Sequence, residues 1–324
     1  MDSSRPHASN APLHVLIVGG GIGGLCLAQG LRKSGIGVAV YERDRSAHFK
    51  DQGYRIGVKQ DGSRALRDCL PAELFDLCVA TTIRSATRMV FLDHALNEKF
   101  SRPIPPLPED SFFGVNRLTL REILLAGLEQ VVRFGRTFER LDQCDDGRVR
   151  AWFADGTSAT ARLAPSVRLT EIPDYLAWML DGGPAGPWLA EAEAAGSEGR
   201  PLHRLAGRML AGWPASVRRV VDEADAAATF LVRLRSARPV RPWRTGNVTL
   251  LGDAVHTMSP GRGEGANTAL RDAELLRHAL VDVATRGAPL AGAVRRYEAE
   301  MLRYGFQAVA DSLNRPFAPR GSRR

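Results

Sequence analysis

The feature that most constrains this chain is the stretch from His14 to Asp44, HVLIVGGGIGGLCLAQGLRKSGIGVAVYERD. Val15 to Val18 is an apolar run of strand length, which reads as one strand buried on both faces. Gly19, Gly21 and Gly24 follow in G-x-G-x-x-G register, and Leu25, Leu27, Ala28 and Leu31 then recur at helical spacing. Val38 to Tyr41 reads as a second strand, closed by Glu42. Strand, glycine turn, helix, strand and acid is the order of a dinucleotide-binding unit. The first glycine permits a sharp turn, the second lets a pyrophosphate approach the backbone, and the third lets the helix pack close to the strand. The helix N-terminus offers unpaired N–H groups and a positive dipole end to the phosphates. Glu42 can accept both hydroxyls of an adenosine ribose, and Arg43 and Lys50 can face an adenine or a phosphate. This turn alone does not separate NAD from FAD, and a tight turn in an ordinary α/β unit is the alternative.

A second glycine site lies near the other end of the chain. Asn247 to Leu251 reads as a buried strand, followed by Gly252-Asp253, the loop HTMSPGRGEGAN, and a helix from about Thr268 to Thr285. A carboxylate at Asp253 can accept a hydrogen bond from a sugar or ribityl hydroxyl. Gly261, Gly263 and Gly265 let backbone N–H groups reach a ligand, and Gly265-Ala266-Asn267 open the helix with its positive end toward whatever binds. A flexible glycine loop without a ligand is the alternative. A last helix is expected from about Ala291 to Leu313.

Between the two sites the pattern is mixed. Leu66, Leu70, Leu74, Phe75 and Leu77 recur at helical spacing after a polar loop. Thr87 to Asp93 and Asn97 to Ile104 read as a hairpin turning at His94 to Leu96, which does not fit a parallel nucleotide-binding sheet. Phe112 to Leu128 reads as helix, with Thr119 and Glu122 in capping-box spacing. Arg136 to Leu141, Arg148 to Phe153 and Ser158 to Leu163 read as three antiparallel strands with turns at Asp145-Asp146-Gly147 and Asp155-Gly156. Leu205 to Leu210 and Val217 to Val221 look helical, Phe230 to Leu234 strand-like, and Gly182 to Pro187 is a breaker cluster.

Composition bounds what such a chain does. Its 324 residues have room for one large domain or two smaller ones. No apolar run reaches the ~18 residues of a membrane helix, and the polar N-terminal stretch lacks the apolar region of a signal peptide. The four cysteines have no C-x-x-C spacing, which favours reduced thiols in a cytoplasmic enzyme. Net charge is +8, nearly all from arginine, with no dense basic block outside Arg320, Arg323 and Arg324. Thinly spread surface charge is the expected reading, without a nucleic-acid or membrane partner.

VLIVGGGIGGL with YERD, NRLTLREILLAGL, and VTLLGDAVHTMSPGRGEGANTALRDA resemble the FAD-dependent aromatic hydroxylases. These are the single-component flavoprotein monooxygenases related to p-hydroxybenzoate hydroxylase. The resemblance selects FAD over NAD, with the ADP half at the first glycine site and the ribityl and ring half at the second. It implies an α/β fold with a Rossmann-like FAD-binding domain, a parallel sheet, added antiparallel strands and a reduced substrate domain. The implied division is 1–80, 105–168 and 244–324 for FAD, and 81–104 and 169–243 for substrate. The implied reaction is hydroxylation of a small aromatic or polyketide-like substrate with NAD(P)H and O2. Carried over by position, Gly19, Gly21 and Gly24 take the pyrophosphate and Glu42 the ribose. Arg117 contacts the flavin, Asp253 holds the ribityl chain, and Pro260 sits by the ring. Gly265, Ala266 and Asn267 face its pyrimidine edge. His256 and Asp272 also fall in the motif, where a packing role is equally open. No side chain is named as acid or base, and no metal is implied.

Two departures stand out. Glu264 and Arg262 place two charges in the ring-side loop, where Arg262 offsets the carboxylate if the two pair. The family's Asp-Gly segment is absent from Ala161 to Pro173, although Ser166-Val167-Arg168 resembles its tail, and most substrate-sheet strands are missing between Arg168 and Asp253. The expected consequence is FAD binding with impaired hydroxylation.

Overall fold

The computed structural model describes residues 13–46, 55–83, 86–104, 106, 113–144, 149–158, 178–181, 187–196 and 198–313. The first elements are β1 (His14–Val18), α1 (Ile22–Lys33), β2 (Gly37–Tyr41), β3 (Arg55–Val58), α2 (Gln60–Cys69) and α3 (Ala72–Ala80). Then come β4 (Arg88–Leu92), β5 (Glu98–Pro103), β6 (Phe113–Asn116), α4 (Arg117–Leu125), β7 (Val132–Arg133), β8 (Phe138–Gln143) and β9 (Val149–Phe153). The remainder is helical: α5 (Leu189–Ala195), α6 (Gly199–Met209), α7 (Ala215–Asp222), α8 (Asp253–His256), α9 (Gly265–Arg286) and α10 (Leu290–Leu313).

The chain divides into two compact units. The larger holds Met1–Arg84, Leu107–Thr170 and Arg235–Arg324, and the smaller Ser85–Pro106 and Glu171–Leu234. In the larger unit β1, β2 and β7 form a parallel sheet in the order β1-β2-β7, with His14 opposite Gly37 and Val18 opposite Tyr41. The pairs β3–β6 and β8–β9 are antiparallel. Its core is built from helices packed against one another and the sheet. Leu25, Leu27 and Leu31 of α1, Leu66 of α2, Leu120 and Ile123 of α4, and Leu270 of α9 are fully buried within it. Three free cysteines, Cys26, Cys69 and Cys78, lie in this core as small apolar groups. Burial pushes the Cys78 thiol up to about 12.

The smaller unit has the β4–β5 hairpin, with Phe91 and Phe100 stacked at 4.2 Å, and the helices α5 to α7. Leu202 and Leu205 of α6 pack on Ala192 of α5, and Ala206 and Leu210 pack on Val221 of α7. No helix among the described residues is long and apolar enough to cross a membrane.

Several expectations are corrected. Residues 247–251 form no strand. Leu250 is 39% exposed, and side chains of α10 hold the segment in place of a sheet ladder. β1 accordingly pairs only with β2 among the described residues, and Val18 is 50% exposed, so β1 is not buried on both faces. Phe230 to Leu234 is likewise not a strand: Leu231 packs beside α5 and α6 while Phe230, Val232 and Leu234 are exposed. Its alternation is strand-like, but no described neighbour supplies a ladder. Phe112 to Leu128 is not all helix, because Phe113–Asn116 is β6, laddered to β3. Asn116, rather than Thr119, caps α4, its side chain accepting the Leu118 N–H at 2.8 Å. Only the Trp152–Ser158 bridge of the third expected antiparallel strand is described. Lys50, the turn at 145–147, residues 161–173 and the cluster at 182–186 lie outside the described residues.

Candidate cofactor-binding site

The first glycine turn grows out of the β1–β2 ladder. Gly19 adopts φ +110°, a conformation that disfavours any side chain, and its N–H donates to the Tyr41 carbonyl at 2.8 Å. A Cβ on Gly24 would fall 2.3 Å from the Gly19 carbonyl oxygen, so only glycine lets α1 lie this close to the strand end. A Cβ on Gly21 would meet nothing within 4 Å. Gly21 is the N-cap of α1 and no side chain caps the helix, which leaves its first-turn N–H groups without a side-chain acceptor. Open room, unpaired donors and a positive dipole end suit a pyrophosphate.

Glu42 sits beneath this turn. Its Oε2 accepts the Gly20 N–H at 2.6 Å and its Oε1 the Asp44 N–H at 2.8 Å. Each carboxylate oxygen keeps a second lone pair for a ribose hydroxyl. Arg43 is exposed beside it. Arg117 is half-buried at the first position of α4, near enough for its charge to act on Arg121. Arg121 was not anticipated from the sequence. It is 6% exposed, donates from Nε to the Gly20 carbonyl at 3.2 Å, and lies 3.9 Å from Glu42 and 3.7 Å from Asp44. Burial draws its pKa below the ordinary arginine value against the pull of the two carboxylates. An arginine between buried Leu120 and Ile123 on a helix was the available signal.

The second turn is built differently. Gly252 adopts φ +62°, and its N–H donates to Asp272 Oδ2 at 2.6 Å. Asp272, 0% exposed in α9, also meets His256 Nε2 at 2.7 Å and accepts the Tyr304 hydroxyl. Burial works against a charged His256 ring, but the hydrogen bond and charge of Asp272 outweigh it and raise the pKa above the ordinary value. His256 is 1% exposed, so it is packed inside. Asp253, the first residue of α8, is exposed, and no described residue bonds its carboxylate. Tyr297 donates to the Leu250 carbonyl at 2.8 Å, and Glu298 accepts from Trp243 at 2.9 Å, Thr245 at 2.5 Å and Thr249 at 2.9 Å.

The ring-side loop continues from there. Pro260 is exposed and opens a 3-10 turn, Pro260–Arg262. Glu264 precedes α9 without capping it and pairs with Lys59, not with Arg262. A Cβ on Gly265 would meet only Met258, at 3.8 Å, so the start of α9 is accessible. Ala266 is partly buried. The Asn267 side chain is fully engaged: it accepts the Lys59 N–H at 2.7 Å and donates to the Gly57 and Gly263 carbonyls, each at 2.9 Å. What it leaves for a ligand is backbone N–H. A cavity of about 330 Å³ adjoins this helix start, lined among others by Lys59, Asp61, Glu264 and Arg271.

The two turns belong to one body of packing. A Cβ on Gly23 of α1 would fall 3.0 Å from the Ala269 carbonyl of α9, so the helix that begins at the first turn lies against the helix whose Asp272 holds the second. Among the described residues no cluster of His, Cys, Asp or Glu is arranged to hold a metal.

The chain is similar to known flavin enzymes. Residues 216–312 match the FAD binding domain family and residues 17–56 the NAD(P)-binding Rossmann-like domain. A dual O-methyltransferase/FAD-dependent monooxygenase of Phaeosphaeria nodorum is 29% identical over 376 positions, covering 84% of this chain and 40% of that protein. The chain thus spans less than half the length of that relative. A FAD-dependent monooxygenase of Emericella nidulans is 28% identical over 350 positions, covering 83% of this chain and 87% of that protein. Both alignments are longer than the 324 residues of this chain, so both relatives carry segments without a counterpart here. The crystal structure of Klebsiella pneumoniae HpxO complexed with FAD and uric acid has the same fold. Its TM-score is 0.70 at 24% identity, covering 94% of this chain and 88% of that one.

Proposed function

We propose that the chain is a FAD-dependent monooxygenase related to the aromatic hydroxylases, an oxidoreductase that holds FAD across its two glycine turns, a reading supported by its similarity to the FAD binding domain family and to FAD-dependent monooxygenases. In this reading Gly19, Gly21 and Gly24 make room for the pyrophosphate, and Glu42 and Arg43 face the adenosine. Arg117 and Pro260 border the flavin, Asp253 accepts from the ribityl chain, and the N–H groups of Gly265, Ala266 and Asn267 meet the pyrimidine edge. When bound, FAD supplies the oxygen chemistry, and the chain's residues bind and orient it. The co-substrates are NAD(P)H and O2, and the substrate is a small aromatic or polyketide-like molecule. Neither nucleic acid nor membrane is a partner, and the setting is the cytoplasm.

The observation that carries this reading is the pair of turns before α1 and α8, joined because α1 packs on α9, whose Asp272 holds the second turn. One turn leaves open space at Gly21 and the other an exposed carboxylate at Asp253. The test is an absorbance spectrum of the purified protein, followed by NAD(P)H oxidation with a panel of phenolic and polycyclic aromatic compounds. A yellow protein that oxidises NAD(P)H supports the reading, and a colourless one that takes up no added FAD contradicts it.

A second reading has its own support. Relatives carry segments that this chain lacks, and β4–β5 is the only sheet among the described residues of the smaller unit. Oxygen transfer needs a walled pocket that excludes water. The second reading is therefore an enzyme that binds FAD and oxidises NAD(P)H while releasing hydrogen peroxide. One hydroxylated product per nicotinamide, with little peroxide, excludes it.

A further inference from the structure

We propose that Asp272 is the positioning residue of the second turn, its buried carboxylate fixing where the Asp253 carboxylate stands. The proposal rests on the reading that Asp253 accepts from the ribityl chain. Asp253 is the first residue of α8, which is only four residues long, Asp253–His256. A helix this short has no cooperative stability of its own. Asp272 grips it at both ends. One oxygen, Oδ2, takes the Gly252 N–H immediately before it, at 2.6 Å, and the ring of His256 at its last position, at 2.7 Å. The other oxygen accepts the Tyr304 hydroxyl from α10. All of this takes place at a carboxylate with no solvent exposure, where hydrogen bonds to an ionised acceptor are short and strong.

The backbone gives the turn little other support. Residues 247–251 have no strand ladder, and Gly252 combines φ 62° with ψ −143°, a conformation only glycine holds comfortably. The His256 ring is seated against α10, where a Cβ on Gly305 would fall 2.6 Å from its Cδ2. Asp272 thus joins α9 and α10 to the one turn whose carboxylate faces outward. Its effect on the cofactor passes through Gly252 and Asp253, because a buried carboxylate does not touch the ligand.

The two halves of FAD make this testable. ADP needs only the first turn, whereas FAD needs both. Asp272→Asn keeps the shape but removes the charge and turns one acceptor oxygen into an NH2 donor, so the His256 ring loses its counter-charge and at least one of the Gly252, His256 and Tyr304 partners faces an N–H instead of an oxygen. The dissociation constant for FAD on the apoprotein is expected to rise roughly tenfold or more, and that for ADP to change by less than about twofold. Glu298→Gln loosens the neighbouring segment without touching Gly252 and serves as the stability control. At a comparable loss of Tm it is expected to shift FAD by less than about threefold. If Asp272→Asn does not fold, Tyr304→Phe, which removes one hydroxyl from the same carboxylate, is expected to weaken FAD and not ADP. Equal loss of FAD and ADP, or a Glu298→Gln effect as large as that of Asp272→Asn, overturns the proposal in favour of general destabilisation. So does unchanged FAD affinity in Asp272→Asn when Asp253→Ala weakens it. Unchanged FAD affinity in Asp253→Ala itself overturns instead the reading on which the proposal rests.

Discussion

The turn at Gly19 is held by a backbone ladder with Glu42 and Arg121 gripping Gly20, and the turn at Gly252 by side chains with no ladder before it. Gly19 donates to the Tyr41 carbonyl at the end of a ladder in which β1 and β2 are paired over their full length. Gly252 donates to a carboxylate on α9, and the chain leading to it is tied to α10 by Tyr297 and Glu298. A ladder is made by any residues of extended habit, so beyond its glycines the first turn depends on side chains only through Glu42 and Arg121 at Gly20. The second depends on particular polar atoms in the interior, each of which must find its partner. Two turns serving one ligand therefore differ in what breaks them and in their response to pH.

The largest effect belongs to the first turn. Gly24→Ala sets a Cβ 2.3 Å from the Gly19 carbonyl, backbone against backbone, with no flexible group to yield. A loss of about 3 kcal/mol or more is expected in urea unfolding. A loss below about 1 kcal/mol means that α1 does not lie this close to β1. Next comes Glu298→Ala, which strands the Trp243 N–H and two threonine hydroxyls. About 2–3 kcal/mol is expected, and a neutral result shows that these donors are satisfied by water.

The pH response separates the turns further. The His256 pKa is raised in the folded protein through Asp272, against the cost of burial. A raised pKa contributes stability that is fully present below the ordinary histidine value of 6.5 and is lost as pH rises through the folded value. The stability difference between wild type and His256→Gln is expected to be larger at about pH 6 than at about pH 9. The same difference at both pH values contradicts an ion pair between His256 and Asp272.

The smallest effect concerns the ring-side loop. Lys59 and Glu264 are each about a third exposed, so their pairing contributes at most ~1 kcal/mol to stability. Lys59→Met leaves the Glu264 carboxylate uncompensated at the start of α9, which disfavours a reduced, anionic flavin. A lowered reduction potential is expected, restored when Glu264→Gln is added. An unchanged potential places Glu264 away from the ring.

What the sequence disclosed follows the same division. Gly19, Gly21, Gly24 and Glu42 were legible because their constraints are local: one strand, one turn, one helix, one acid. Arg121 was not, because its partner Gly20 lies 101 residues away: its place between Leu120 and Ile123 marks it as buried but does not point to Gly20. The β3–β6 pairing failed for a similar reason. RIGV and FGVN are four residues each, too short to alternate visibly, and they join only in the fold. Asp253 was identified by its place after Gly252, whereas the anchoring role of Asp272 needed coordinates. NVTLL carries strand habit in Val248 and Thr249, yet in the structure Thr249 donates to Glu298 and the segment forms no ladder.

The central claim is that one ligand spans both turns. FAD and ADP titrations of the apoprotein, in wild type, Gly21→Val and Asp253→Ala, test it most directly. Gly21→Val is expected to abolish binding of both, since a side chain then fills the space open at the start of α1. Asp253→Ala is expected to weaken FAD by about 1–3 kcal/mol and to leave ADP binding and the fold unchanged, since the Asp253 carboxylate is exposed. FAD affinity that survives both substitutions, with circular dichroism intact, contradicts the account.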